Sequence, residues 1–281
     1  MTVLYLLCAL LALAALYLFL IAPARKHPSL RSMRNTFFAH RGLYDNQAGV
    51  PENSLAAFRL AVRAGYGVEF DIHLSKDGIP IVFHDDTLLR MCGIDARPED
   101  KTAEELQKLR LLNTEENIPT LAEVLAVLDG RVPVIAEIKT LTLDSAVCEE
   151  ADKLLGGYRG WYCVESFNPF AMRWYKKNRP NIVRGQLSGP FWKEKKLRTA
   201  KMFVLQHMLL NVLSRPHFVA YDLHGANSIS FGLSTRFFHA LPVAWTVRTE
   251  EELAEAKKNF RTYIFENIRP DESLRTDNDR K

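Results

Sequence analysis

The strongest constraint on the fold is a rhythm of eight short β-rich runs alternating with helical patterns. The runs are Thr36–His40, Gly67–His73, Pro133–Ile138, Trp161–Glu165, Asn181–Gln186, His217–Tyr221, Val243–Val247 and Thr262–Phe265. Between them, Asn53 or Ser54 can cap a helix whose Leu55, Phe58 and Val62 share one face. Further helical patterns run over Leu121–Leu128, Asp144–Leu155, Pro169–Asn178, Ser234–Ala240 and Glu250–Asn259. Strand–helix alternation repeated eight times predicts a (β/α)8 TIM barrel. A doubly wound open sheet competes, but no G-x-G-x-x-G turn follows the first run. The longest interruption, Asp85–Pro119, carries one helical pattern at Ala103–Leu109. A chain of 281 residues holds one such barrel, typically about 250 residues, with some length to spare.

The spare length lies at the N-terminus. Val3 to Ala22 is apolar and uncharged, about the length that crosses a bilayer. A cleaved signal peptide is the rival reading, since Ala22–Ala24 offers an A-x-A-like site; but no basic residue precedes the apolar core. Arg25, Lys26, Arg31 and Arg34 follow it instead, and the positive-inside rule keeps that flank cytoplasmic. The expected organisation is an N-terminal transmembrane anchor (1–23), a basic linker (24–35), a barrel (36–272) and a polar tail (273–281). The barrel would face the cytosol on a single-pass anchor, or be secreted if the segment is cleaved.

Composition excludes more than it assigns. A net charge of +4 is small and dispersed, and no nucleic-acid recognition motif is present, so nucleic acid is not an expected partner. Cys8, Cys92, Cys148 and Cys163 are irregularly spaced with no CxxC pair, which argues for buried free thiols over a zinc site.

Chemistry concentrates where barrels place it, at the C-terminal ends of strands. His40 and Arg41 end the first run. In "GVEFDIHLS" the alternation of side chains puts Glu69, Asp71 and His73 on one face and Val68, Phe70 and Ile72 on the other. "PVIAEIKT" does the same with Glu137 and Lys139, and "IPIVFHDD" ends its apolar run in His84. Carboxylates crowded into one mouth repel each other and lose solvation. A hard divalent cation, Mg²⁺ or Ca²⁺, would relieve both, and an all-oxygen ligand set suits it. Each residue alone has a structural explanation: a satisfied histidine, capping aspartates at Asp85 and Asp86, a Lys139 ion pair. Their convergence on one rim is what favours a site.

The motifs "AHRG", "PENSLAAF", "GYGVEFDIHLSKDGIPIVFHDD", "IPTLAEVL", "AEIK", "SFNP" and "WTVR" occur in that order between about Phe37 and Pro270. In this the chain resembles the glycerophosphodiester phosphodiesterase family, whose pattern is HRG, PENT, E-x-D, KDG, HD, PTL-x-E-L, E-x-K, SFN-P and W-T-V. The resemblance implies a TIM barrel with one divalent cation on Glu69, Asp71 and Glu137. It makes His40 and His84 the general acid/base pair, and sets Arg41 and Lys139 against the phosphate. Trp245, expected at the end of the seventh strand, is either a wall for the glycerol or headgroup, or barrel packing. Ser54 replaces the family's threonine, and "DTLLRMCGIDARPED" does not keep the L-x-R-x-T-x-G run. Arg248 follows W-T-V where asparagine is usual, and "YIFENIRP" replaces the commoner I-x-T-D-x-P ending. These departures bear on the substrate more than on activity.

The implied reaction is hydrolysis of a glycerophosphodiester to glycerol 3-phosphate and an alcohol. A membrane anchor raises lysophospholipase D-like cleavage of lysophospholipids by the same residues. A catalytically silent, membrane-tethered binding module is the reading from another class. Finally, Lys193, Lys195, Lys196, Arg198 and Lys201 precede Met202–Leu213, where nine of twelve residues are apolar. Phe191–Leu213 is therefore either the barrel's fifth helix, buried more than its neighbours, or an interfacial segment with a basic collar.

Overall fold

The computed structural model describes residues 1–24, 26–140, 143–193 and 195–270. Arg25 of the linker, the Lys193 side chain and the polar tail expected at 273–281 lie outside the described residues.

Among the described residues nine strands form: β1 (Phe37–His40), β2 (Gly67–Leu74), β3 (Pro80–Val82), β4 (Val134–Ile138), β5 (Tyr162–Ser166), β6 (Val183–Ser188), β7 (Phe218–Asp222), β8 (Leu241–Val247) and β9 (Thr262–Phe265). Eight of them are parallel and close into a TIM barrel in the order β1-β9-β8-β7-β6-β5-β4-β2, with β2 returning to β1. The extra strand is β3, which pairs antiparallel with the end of β2. There β2 outruns β1, whose last pair is His40↔Glu69. The β2–β3 hairpin folds back at the mouth, and the Phe83 N–H donates to the Asp71 carbonyl at 3.0 Å. His84 is thereby delivered beside β2.

Strand alternation separates two cores. Outward residues such as Val68, Phe70, Ile72, Val134, Ala136 and Val164 pack under helices including Leu55–Ala64, Leu121–Leu128 and Ala146–Leu155. Inward residues are apolar in the first half of each strand, as at Phe38, Ile135, Cys163, Phe218 and Val243. Leu30 and Met33, from the turn of helix Pro28–Met33, join this inner cluster. Toward the strand ends the inward positions become His40, Glu69, Asp71, Glu137 and Glu165. The barrel is thus greasy at the bottom and charged at the top, which confines polar chemistry to one face.

Two expectations need correction. Phe191–Leu213 is not a buried barrel helix: two short helices, Ala200–Gln206 and Asn211–Ser214, are separated by a left-handed turn at Met208 (φ 54°). No residue of Ala200–Gln206 is buried, because its apolar side chains find no barrel face to cover. Of the four free cysteines, Cys148 and Cys163 are buried, but Cys8 is exposed on the N-terminal helix and Cys92 is half-buried.

That N-terminal helix runs from Thr2 to Ile21 and is long and apolar enough to cross a membrane. Residues 1–16 are bare, while its last turn packs on the barrel flank and buries Ile21.

Candidate active site

β1 ends at His40, and the chain turns sharply through Arg41 (φ 54°) and Gly42 (φ 81°). A β-carbon at Gly42 would lie 2.9 Å from the Ala57 side chain and 3.0 Å from its backbone, so glycine is required where the turn meets the first outer helix. The left-handed Arg41 is a strained conformation for a non-glycine residue. It aims the Arg41 N–H at Glu69 Oε2 (3.1 Å) and brings the guanidinium to Glu52 (2.5 Å) and within 3.7 Å of Asp71.

Glu69 and Asp71 of β2 and Glu137 of β4 are all buried. Each offers an oxygen within 4.8 Å of the others. Lys139 Nζ lies 3.0 Å from both Asp71 Oδ1 and Glu137 Oε1, and Asn53 donates to Asp71 Oδ2 at 2.9 Å. Their acidities diverge for physical reasons. Burial, then the charges of Asp71, Glu137 and Glu165, hold Glu69 well above the usual carboxylate range. Burial pushes Glu137 up to about 7, although Lys139 pulls the other way. Asp71 stays well below: burial opposes, but Lys139, His84, Arg41 and the Asn53 hydrogen bond outweigh it. Three buried hard-oxygen donors with unresolved mutual repulsion fit a small divalent cation.

Both histidines are oriented by carboxylates. His40 Nδ1 is 2.6 Å from Glu266 Oε2, and His40 Nε2 sits 3.9 Å from Glu69. Glu266 also accepts from Tyr44 (2.9 Å) and Arg248 (2.6 Å). Burial alone would raise Glu266, but His40, Arg248 and Tyr44 lower it to about 2. It remains an anion, so His40 Nδ1 carries the proton and Nε2 is free toward the mouth. Burial lowers the His40 pKa itself below its ordinary value against the upward pull of Glu266. His84 repeats the arrangement: its Nδ1 is 2.7 Å from Asp85 Oδ1. Arg90 clamps Asp85 (2.6 Å) and Glu52 (2.7 Å) together. Glu52, His84 and Asp85 form a second acidic group, but guanidinium groups already neutralise it.

The structure therefore assembles His40, Arg41, Glu69, Asp71, Glu137 and Lys139 on one rim, with His84 delivered by the β3 hairpin. Trp245 stands on another wall, inside β8 two residues before its end rather than at the end. Its ring meets Phe167 edge-on at 5.5 Å, and its Nε1 is buried without a partner among the described residues. His73, the outermost of the β2 acidic face, is buried and points to Glu99 (3.2 Å). Several participants were not anticipated: Glu266, the buried Glu52 and Asn53, Asp85, Arg90 and Glu165. Glu165 is paired in register with Glu137, is buried with Oε2 unpartnered, and is pushed well above the carboxylate range by burial and by Glu137. Its inward parity on its own strand was the available signal.

The mouth opens into a cavity of about 530 Å³ lined by Glu137, Lys139, Ser166, Phe167 and Asn168 among others. Thr140, Phe167 and Asn168 also wall a second, apolar cavity of about 550 Å³, bounded by Leu143, Phe170, Met202, Val204, Leu205 and Leu210.

With this geometry in view, the likenesses to known proteins become specific. The model of the glycerophosphoryl diester phosphodiesterase family matches residues 40–260, which is most of the chain and all of the rim just described except Glu266. The chain belongs to that family. A glycerophosphodiester phosphodiesterase of Caldanaerobacter subterraneus is 34% identical over 166 residues, covering 55% of this chain and 67% of that protein. Human glycerophosphodiester phosphodiesterase 1 is 42% identical over 102 residues, covering 33% of this chain and 30% of that one. Among solved structures, an Oleispira antarctica phosphodiesterase in complex with the product sn-glycerol-3-phosphate superposes with a TM-score of 0.67 at 25% identity, over 84% of this chain and 94% of that one. The barrel is accordingly that of an enzyme, a glycerophosphodiester phosphodiesterase by family, and not a bare scaffold.

Proposed function

We propose that the rim hydrolyses glycerophosphodiesters to glycerol 3-phosphate and an alcohol, with His40 and His84 as the acid/base pair and a divalent cation on Glu69, Asp71 and Glu137. The observation that carries this reading is the pair of carboxylate-held histidines flanking a buried three-carboxylate cluster. A divalent cation bound there would polarise a phosphoryl oxygen and neutralise charge developing on it. Arg41 and Lys139 present two further positive groups to the same anion. Glu266 and Asp85 hold the two imidazoles with Nδ1 protonated, which leaves each Nε2 to take or give a proton. One accepts the proton of the attacking water, or of the glycerol 2-hydroxyl in a route through a cyclic phosphate that water then opens, and the other protonates the departing alcohol. Mg²⁺ and Ca²⁺ both suit the oxygen donors.

A second substrate reading has its own support. The apolar cavity that shares walls with the catalytic cavity is large enough for an acyl chain, which favours lysophospholipids as alternative diesters cleaved by the same groups.

The test is choline release from glycerophosphocholine and from lysophosphatidylcholine, with Mg²⁺, with Ca²⁺ and with a chelator. Turnover should vanish on chelation and return with a cation. His40→Ala and Glu69→Ala should each lower kcat by at least about 10²-fold with the fold intact by circular dichroism. Full activity in both variants would overturn the roles given to His40 and Glu69, and no turnover of either diester by the unmodified protein with any cation would support the silent-module alternative.

A further inference from the structure

We infer that the C-terminal rim of the barrel is a membrane-seating surface, so that the catalytic mouth opens into the headgroup layer of an anionic bilayer. The inference rests on Thr2–Ile21 being a retained span, and it adds the direction in which the barrel hangs from that span.

The direction follows from the order of the contacts along the helix. Tyr17 Oη meets Ser230 Oγ at 2.8 Å, and one turn later the Ile21 carbonyl accepts from Ser234 Oγ at 3.3 Å. Ser230 and Ser234 lie on the helical segment after β7, which runs back antiparallel to that strand, from the C-terminal rim toward the N-terminal one. The N-terminal helix therefore descends in the same sense. His207 and Asn211 repeat the order: His207 Nδ1 reaches Ser230 Oγ (3.2 Å), and Asn211 Nδ2 donates to the Ile21 carbonyl (3.1 Å). At the foot, the Ala24 N–H donates to Pro216 O, two residues before β7 begins. Followed backward, the apolar helix rises past the catalytic rim and projects beyond it.

Length fixes how far the rim stands from lipid. The bare residues 1–16 span about 24 Å at 1.5 Å per residue. The hydrocarbon core is about 30 Å thick. The free part is short, so crossing requires the turn from Tyr17 onward to enter the membrane boundary, and that turn is fastened to the barrel. The rim is drawn down with it.

The rim is dressed for that contact. Ile229, next to Ser230, is 75% exposed, and Trp192 and Phe203 are 42% and 40% exposed with their rings 5.2 Å apart. The Phe203 ring in turn lies 4.3 Å from that of His207, tilted by 53°, so the patch is continuous with the docked helix. Lys195, Lys196, Arg198 and Lys201 are exposed around it. Aromatic side chains ringed by cations match the boundary between acyl chains and anionic headgroups. A protein partner would have no need of the adjacent span.

Full-length protein would be reconstituted in vesicles of phosphatidylglycerol and phosphatidylcholine, with and without brominated acyl chains, and tryptophan emission recorded. We expect bromolipid quenching that is lost in Trp192→Phe and restored when Phe203→Trp is added to that variant. Phe237→Trp in the same background places an indole on an exposed site (62%) at the far end of the segment after β7, and should give emission that lipid does not quench. Quenching unchanged by Trp192→Phe, or equal at position 237, would overturn the orientation. So would protein that stays in the vesicles after an alkaline wash with Trp192 unquenched, while the span reading survives. Protein released by that wash would overturn both.

Discussion

At the scale of single residues, the proposed acid/base pair is held by a partner that the motifs do not point to. Glu266 lies 226 positions from His40 in a segment that departs from the family pattern, yet it closes a 2.6 Å contact on Nδ1. The residues that form motifs were legible because each sits beside its chemical neighbours in sequence: Glu69 with Asp71, Glu137 with Lys139, His84 with Asp85. Glu266 had no such neighbour, and only barrel closure brings β9 to β1. If the carboxylate orients His40 and favours its protonated form, Glu266→Gln should lower kcat by about 10²-fold. Removing the anion also removes an upward pull on the His40 pKa, against the burial that already lowers it. Whichever limb of the pH–rate profile His40 governs should therefore move to lower pH. A loss of kcat with both limbs unmoved would mark Glu266 as merely structural.

At the scale of elements, the strands were legible because β-rich runs are bounded by breakers, and all eight barrel strands start and end within two residues of the expected positions. The β3 strand is only three residues long and its partner is an outrun of β2, so it read as an apolar approach to His84 and not as a strand. Counting apolar residues also fails for Met202–Leu213, where a left-handed residue breaks the pattern into two short helices. One element junction carries a pH signature. His217, at the foot of β7, accepts the Arg184 N–H through Nδ1 (3.2 Å), and its ring lies 5.0 Å from that of His27. Burial first, then Arg184 and His27, push its pKa down to about 3. The folded state keeps it neutral, while the unfolded chain takes up a proton below about 6.5. Its contribution to stability is therefore complete above about 6.5 and is lost as pH falls toward about 3. The slope is up to about 1.4 kcal/mol per pH unit. Denaturant unfolding at pH 7 and pH 5 should show His217→Asn, which keeps an acceptor but does not titrate, losing about 1–2 kcal/mol less than wild type over that interval.

At the scale of the whole molecule, hydropathy announced an apolar helix long enough to cross a membrane but could not say that it is welded to the barrel. That depends on polar residues far away in sequence finding the helix's last carbonyls, which a helix end must satisfy somehow. Asn211 and Ser234 take Ile21, while Arg215 takes Phe19 (3.1 Å) and Ala22 (2.7 Å) and stacks over the Phe19 ring at 4.9 Å. Ile21 fills the space between them with no exposed surface. The weld bears on the rival reading of the N-terminus, because cleavage after Ala24 would empty the Ile21 site and strip Asn211 of its partner. Removing a buried isoleucine down to alanine costs about 2–4 kcal/mol in comparable settings. Ile21→Ala in detergent-solubilised full-length protein should therefore melt several degrees lower, at about 2–4 °C per kcal/mol for a barrel of this size. A chain lacking residues 1–24 should fall at least as far. Both should retain turnover of a soluble glycerophosphodiester, because His40, Glu69 and Glu137 stand on the opposite side of the barrel wall from the weld. An unchanged melting temperature in both would mean that the helix merely leans on the barrel, and that the two parts fold without reference to each other.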